Sequence, residues 1–454
     1  MILSIFLIPR KGGLRRVALA AAIAAGLHAG SASAVTLQQA YQAALQNDPA
    51  YRMNFYENEA GKENAIIGRS LLLPNISASY SANKNNSDLI THFTSGPDQL
   101  ISPQYLSRST SVQVRQPLVN LDAIARYRQG KVQTEQSAAQ FAANTGEVAL
   151  RVVGAYLDAL YANDQLALAQ VQRDMYREQQ AVNNRLFEKG EGTKTDMLET
   201  QSRLDLAEAQ VLEAQDTVTA QRNTLEGIIG MDPGTLDTLG PNFRFAPLSP
   251  ATFDEWKAIA VANNHDLQAA TLAVENARLE VQKAKAGHAP RLDLVASYSK
   301  DNAASLNTYN QDTVNRAVGI QLNVPLYAGG GISAQARQAA AGYERARADL
   351  DNRTSKVLVE LRKAHSLVVS SVARVDALVK AVDSGKLLMT ATQQSIKGGV
   401  RINLDLLNAQ QQLYTSQRDL AQARYSYLLG LLRLRAAAGT LSGSDVTEIA
   451  AYFR

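Results

Sequence analysis

The stretch Val318-Gly319-Ile320-Gln321-Leu322-Asn323-Val324-Pro325-Leu326-Tyr327-Ala328-Gly329-Gly330-Gly331 changes its period part way along. Val318, Ile320, Leu322 and Val324 alternate with Gly319, Gln321 and Asn323, the two-residue repeat of a strand with one apolar and one polar face. Pro325 ends that pattern. The three glycines read as a tight strand-to-helix turn, not a phosphate loop, because the G-x-G-x-x-G spacing is missing. Over 332–396 the apolar residues recur every three or four positions, as Leu358, Leu361, His365, Val368, Val372, Val375, Val379 and Val382. His365 on that stripe reads as a core residue, not a ligand. After residue 34 there is no run of 18 apolar residues, so a place in a membrane would have to be taken by strands.

The same order of signals occurs earlier in the chain. Asn47-Asp48-Pro49, Leu73-Pro74-Asn75-Ile76 and Ser79-Tyr80-Ser81 are echoed by Asn263-Asn264-His265, Ala289-Pro290-Arg291-Leu292 and Ser297-Tyr298-Ser299. Gly190, Asp196, Gln201, Leu204 and Gly230 return 209 residues later as Gly399, Asp405, Gln410, Leu413 and Gly439. The chain therefore divides into a first repeat, 35–245, a second, 246–441, and a tail, 442–454, with a proline-marked crossing at Pro241–Pro250. Each repeat predicts a helix (36–73, 254–289), a β-hairpin (75–117, 291–325), a very long helix (119–187, 332–396) and a last helix (195–229, 404–438). A helix of some 67 residues would be about 100 Å long, longer than any compact domain.

Met197, Leu204, Val211, Val218 and Leu225 recur every seven residues, as do Leu406, Leu413, Leu420, Tyr427 and Leu434. That is the coiled-coil period, and Ala409, Ser416, Ala423 and Gly430 permit close approach. In the hairpins Ile76, Ala78 and Tyr80 alternate with serines, Val112 and Val114 with Gln113 and Arg115, and Leu292, Leu294 and Ala296 with Asp293, Val295 and Ser297. The pattern suits outer-membrane strands, with Tyr80, Tyr298 and Tyr327 as interfacial aromatics and 84–108 and 300–316 as polar external loops. A soluble half-buried sheet has the same alternation. The fold class is mainly α with membrane β. Outer-membrane barrels start at about eight strands, so four per chain require at least two chains, and this arithmetic does not choose three over two.

Of 46 Lys plus Arg and 42 Asp plus Glu, the four that make the net charge +4 are Arg10, Lys11, Arg15 and Arg16. They belong to a predicted cleaved leader, residues 1–34, with an apolar Val17–Leu27 and the small-residue site Ala32-Ser33-Ala34. The remainder is neutral, which argues against a nucleic-acid partner. With no cysteine there are no disulfides, thiolate metal sites or acylated N-terminal Cys. No catalytic, cofactor or metal motif is found, and the five histidines are dispersed. The chain is expected not to be an enzyme.

Together these landmarks resemble the TolC family of outer-membrane channel-tunnel proteins. The resemblance is carried by Leu72-Leu73-Pro74-Asn75-Ile76, Pro325-Leu326-Tyr327-Ala328-Gly329-Gly330, Ala421-Gln422-Ala423-Arg424-Tyr425-Ser426-Tyr427-Leu428 and Ala438-Gly439-Thr440-Leu441. It implies a homotrimer in outer-membrane lipid, with a 12-stranded β-barrel continued by an α-helical barrel through the periplasm. It also implies a periplasmic adaptor and an inner-membrane ABC or proton-driven transporter as partners. Carried over by position, the family's gate aspartate falls on Asp405. Its second acidic ring falls on Asn408, and a Thr-Asp pair falls on Thr195 and Asp196, facing Arg401 of the next chain. A locking tyrosine falls on Ile396, which has no hydroxyl, so a weaker closed state is expected. The adaptor-contacting turns fall on Lys189-Gly190-Glu191 and Gly398-Gly399-Val400. Read without the resemblance, Asp196 with Glu199, and Asp405 beside Asn403, are helix-capping groups. The missing N-terminal Cys tilts the cargo toward protein, by type I secretion, over small toxic compounds. The rival reading is a soluble periplasmic coiled-coil adaptor or scaffold.

Overall fold

A computed structural model describes residues 34–102, 104–240, 243–303 and 311–453. The predicted leader up to Ser33, Pro241 at the crossing and the tip of the second hairpin lie outside the described residues. Four strands form one antiparallel sheet, β1 (Asn75–Asn86), β4 (Gln104–Val119), β5 (Arg291–Ala303) and β6 (Gln311–Asn323), in the order β1-β4-β5-β6. They are 12, 16, 13 and 13 residues long. The segment expected to be a plain loop, 84–108, also holds a small hairpin of β2 (Leu89–Thr91) and β3 (Gln99–Ile101).

The register aligns the alternation across all four strands. Ile76 lies opposite Val114, Ala78 opposite Val112, Val112 opposite Tyr298, and Val114 opposite Ala296. Ala296 lies opposite Val318, Leu294 opposite Ile320, and Leu292 opposite Leu322. One face is thus mostly apolar, interrupted by Gln116 opposite Leu294 and Arg316 opposite Tyr298, and Val318 on it is 78% exposed. On the other face Ser79 and Ser111 share a 2.7 Å hydrogen bond, and Arg115 Nε donates to Asp293 Oδ2 at 2.9 Å. Asp293 is only 4% exposed, and Arg115 is the cation paired with it. The outward edges of β1 and β6 are unpaired among the described residues.

Two helices run the length of the molecule. They are α4 (Leu121–Glu188, 68 residues) and α8 (Gly331–Lys397, 67 residues), each about 100 Å long. Gly329 and Gly330, at φ +60° and +79°, make the tight turn into α8. Next to the sheet, α2 (Pro49–Lys62) and α3 (Asn64–Ser70), α4, α7 (His265–Ala286) and α8 pack side by side in that order. At the far end the order is α5 (Lys194–Ile229), α4, α9 (Asn403–Ala437) and α8. The predicted heptads hold, with Leu204, Val211 and Leu225 buried in α5 and all five predicted residues buried in α9. In α8 the buried line narrows to Leu361, Val368, Val375 and Val382, and Val372 is exposed. His365 is not a core residue. It is half-buried, edge-on to Phe253 at 5.9 Å, with Nε2 3.4 Å from the Ala251 carbonyl.

The main core lies at mid-length, where Tyr156, Leu160, Leu225, Trp256, Leu428 and Leu432 meet α1 (Leu37–Asn47), α6 (Phe253–Asn263) and α10 (Gly443–Ala450). The crossing is no free linker, because Phe245 packs on Tyr427 with ring centres 4.8 Å apart. Nor is the tail loose, because Val446, Ile449 and Phe453 are buried and Arg435 Nη1 reaches Glu448 Oε2 at 2.7 Å.

The helices expected over 36–73 and 254–289 are each interrupted. Asp48 sits at φ −61°, ψ 117°, as the following Pro49 requires. Asn264 has nearly the same geometry, φ −65°, ψ 120°, without a proline. Tertiary bonds explain both breaks. Asn47 Nδ2 donates to Ile229 O and Asn264 Nδ2 to Ala437 O, each at 2.9 Å, which satisfies carbonyls left over at the ends of α5 and α9. A further break at Glu63 follows Gly61, which lies so close to α4 that a Cβ would stand 2.3 Å from Ser137 Oγ.

The break at Asn264 also holds Gly439 in place. Gly439 has φ +71°, and a Cβ there would lie 2.3 Å from Asn263 O. Gly190, at φ +74°, has open space around it. Gly439→Ala should therefore lower the thermal unfolding temperature in detergent clearly more than Gly190→Ala, whose cost is confined to the φ penalty of about 1 kcal/mol. Equal shifts would disprove the close-approach account.

Candidate functional site

The helical end far from the sheet is made of two matching turns. After α4, the Gly190 amide donates to Phe187 O at 3.0 Å and the Glu191 amide to Leu186 O at 2.9 Å. After α8, the Gly399 amide donates to Ile396 O at 3.0 Å and the Val400 amide to Ser395 O at 3.0 Å. Both are Schellman closures with glycine in the left-handed region. Lys189, Gly190, Glu191, Gly398, Gly399 and Val400 are all exposed. Val400, 82% exposed, stands with Ile402, Leu198 and Phe187 as bare apolar side chains on this end.

Thr193 caps α5. The Asp196 amide donates to Thr193 Oγ1 at 3.1 Å and the Thr193 hydroxyl to Asp196 Oδ2 at 2.5 Å. The cap is therefore Thr193 and not the Asp196 carboxylate, which only accepts the Thr193 hydroxyl. Thr195 is exposed, and Glu199 lies one turn on, half-buried. On α9 the N-cap is Ile402, with no side-chain cap. Asn403 does not cap and turns inward, because polar groups on α4 and α5 use both ends of its carboxamide. Asp405 lies 3.6 Å from Arg401 Nη1 in an exposed pair that adds little to stability. Asn408 accepts from Arg203 Nη2 at 3.3 Å, which ties α9 to α5. Ile396 is half-buried and contributes only bulk.

Nothing in the sequence marked the polar groups packed just behind these residues. Gln179 Nε2 donates to Asn183 Oδ1 at 3.0 Å and to Asn403 Oδ1 at 2.9 Å. Asn183 Nδ2 and Asn403 Nδ2 both donate to Thr200 Oγ1, at 2.7 and 3.2 Å. A second tie follows farther in, where Gln172 Nε2 donates to Gln411 Oε1 at 2.7 Å. Beyond it the Tyr425 hydroxyl donates to Asp164 Oδ2 at 2.7 Å. Burial pushes the Asp164 carboxyl up, and the Tyr425 bond and nearby Arg424 oppose that only in part. Among the described residues no three His, Asp or Glu side chains converge as they would around a metal.

A carboxyl raised above its unfolded value favours the folded state when protonated, and that contribution is lost as pH rises through the folded value. Asp164→Asn should therefore raise the unfolding temperature at pH 7.5. The gain should shrink as pH falls toward the ordinary carboxylate value of 3.8. A pH-independent difference in a melting series would refute the assignment.

The family described as "Outer membrane efflux protein" matches residues 40–231 and 257–440. The chain is 41% identical to the alkaline protease secretion protein AprF of Pseudomonas aeruginosa, over 93% of this chain and 88% of that one. It is 30% identical to the outer membrane protein TolC of Vibrio cholerae, over 92% and 93%. The solved structure of the Campylobacter jejuni CmeC outer membrane channel superposes with a TM-score of 0.77 at 16% identity, over 93% of both chains.

Proposed function

The chain belongs to the outer membrane efflux protein family, and from that premise we propose that three copies close into one duct through the outer membrane and the periplasm. It resides in the outer membrane and serves as an exit duct. The observation that carries the closure is the sheet, with its mostly apolar face and two unpaired edges. Hydrocarbon offers no partner for an open edge, so β6 of one copy takes β1 of the next. Strand directions alternate across β1-β4-β5-β6, and that junction continues the alternation. The helices agree, because α8 runs away from the sheet and meets α5, and nearer the membrane α2 and α3, running toward it. Two copies would satisfy the same rule. Three, giving 12 strands, follows the family resemblance. Tyr80 and Tyr298 lie where the apolar rows give way to Arg108, Asn302 and Asp312, which suits the lipid boundary.

The tip is the periplasmic mouth. Asp405 of three copies forms an acidic ring, and Arg401 reaches Thr195 and Asp196 of the neighbour when the mouth is shut. The bare Val400, Ile402, Leu198 and Phe187 suit docking of a periplasmic adaptor at the two turns. Cargo is a secreted polypeptide, driven by an inner-membrane ABC transporter. The support is that AprF, named for protease secretion, is more alike than TolC. Nothing in the chain favours the soluble adaptor reading.

Purified protein should migrate as a heat-sensitive trimer, and a detergent-free monomer would refute closure. In planar-bilayer recordings Asp405→Ala should weaken block by multivalent cations, and Arg401→Ser should raise resting conductance at neutral pH. Wild-type values for both would sink the mouth assignment.

A further inference from the structure

We propose that Asn403 is a positioning residue for the periplasmic mouth, acting through a closed hydrogen-bond ring with Gln179, Asn183 and Thr200. The inference rests on the reading of the tip as the mouth. The ring uses its groups without remainder at the shared atoms. Gln179 spends one donor on each asparagine oxygen, and both asparagine nitrogens converge on the Thr200 oxygen. The Thr200 hydroxyl hydrogen goes to Asp196 O at 2.8 Å. Thr200 is 0%, Asn183 5% and Asn403 9% exposed, so water cannot replace these bonds.

The ring joins three helices at the point where the mouth residues are set. Thr200 is bonded to the backbone of Asp196 on α5, and Asn403 lies between Arg401 and Asp405 on α9. Moving the start of α9 away from the α4–α5 hairpin would break both bonds of Asn403. It would leave a half-buried donor on Gln179 and a buried acceptor on Thr200. Position 403 needs an acceptor and a donor on one short side chain. A carboxamide provides both, a carboxylate lacks the donor, and an aliphatic residue lacks both. The arrangement of Arg401 and Asp405 seen here is therefore held from behind by uncharged groups, and that support does not depend on salt.

The test is single-channel recording of full-length trimers in planar bilayers, with heat stability of the trimer as a parallel measurement. Asn403→Leu and Thr200→Val should each raise the open-to-closed ratio about tenfold, the scale of one or two buried bonds lost. Thr200→Ser, which keeps the hydroxyl, should behave as wild type. The double variant Asn403→Leu/Thr200→Val should open no further than the stronger single variant, because both remove one ring. If Asn403→Leu fails to assemble, Thr200→Val and Gln179→Leu carry the same expectation. Arg401→Ser opening the channel while the ring variants conduct as wild type would overturn this assignment and leave the mouth reading standing. If none of them alters conductance, both fall.

Discussion

A strand edge cannot be left open in hydrocarbon, and the rest of the architecture answers to that constraint. One chain offers four strands, too few to curl shut, with a free edge at each end. Closure by copies demands that the edges be of opposite direction, and an even number of strands guarantees it. The helices inherit the same parity. Each repeat sends one helix toward the sheet and one long helix back. The wall therefore keeps alternating direction when the next copy is added, near the membrane and at the far end alike. Duplication of a helix-hairpin-helix unit is the simplest way to supply even numbers of both.

What the sequence revealed was whatever has a period. The alternation in 318–324, the heptads of α5 and α9 and the glycine turns gave strand faces, buried lines and helix ends to within about two residues. Those signals are local, because each residue's face follows from its neighbours' spacing. Pro49 marks the break at Asp48, whereas the break at Asn264 has no local signal. Asn264 is fixed by a carbonyl at Ala437, 173 positions away, and no proline marks it. The packing of the tail was equally out of reach, since Val446, Ile449 and Phe453 find their partners only in the assembled core.

At the tip, Asp196 and Asp405 read as helix-capping carboxylates, and neither is the cap: Thr193 caps α5 and bonds Asp196, and α9 starts after Ile402 with no side-chain cap. Asn403, a short polar residue at the start of α9, is turned inward by the groups on α4 and α5 that pack behind it. Gln179, Asn183 and Thr200 look in sequence like solvated helix residues. They become a site because two hairpins meet over them. Polar residues in a buried seam carry no period, so no sequence pattern announces them.

The distribution of burial along the molecule explains why one end can move. At mid-length, aliphatic and aromatic side chains from both repeats, α1, α6 and α10 share one large core. Its stabilisation is spread over many contacts and falls gradually with displacement. Toward the tip the apolar contacts thin to Tyr176, Leu204, Ala207 and Leu407, and polar bonds between helices take over. Hydrogen bonds are directional and are lost over a fraction of an ångström. A seam held this way has two states, made or broken, where an apolar seam would slide. If the tip is the mouth proposed above, a long wall anchored by a greasy middle and closed by a few amides is rigid along its length and bistable where it opens.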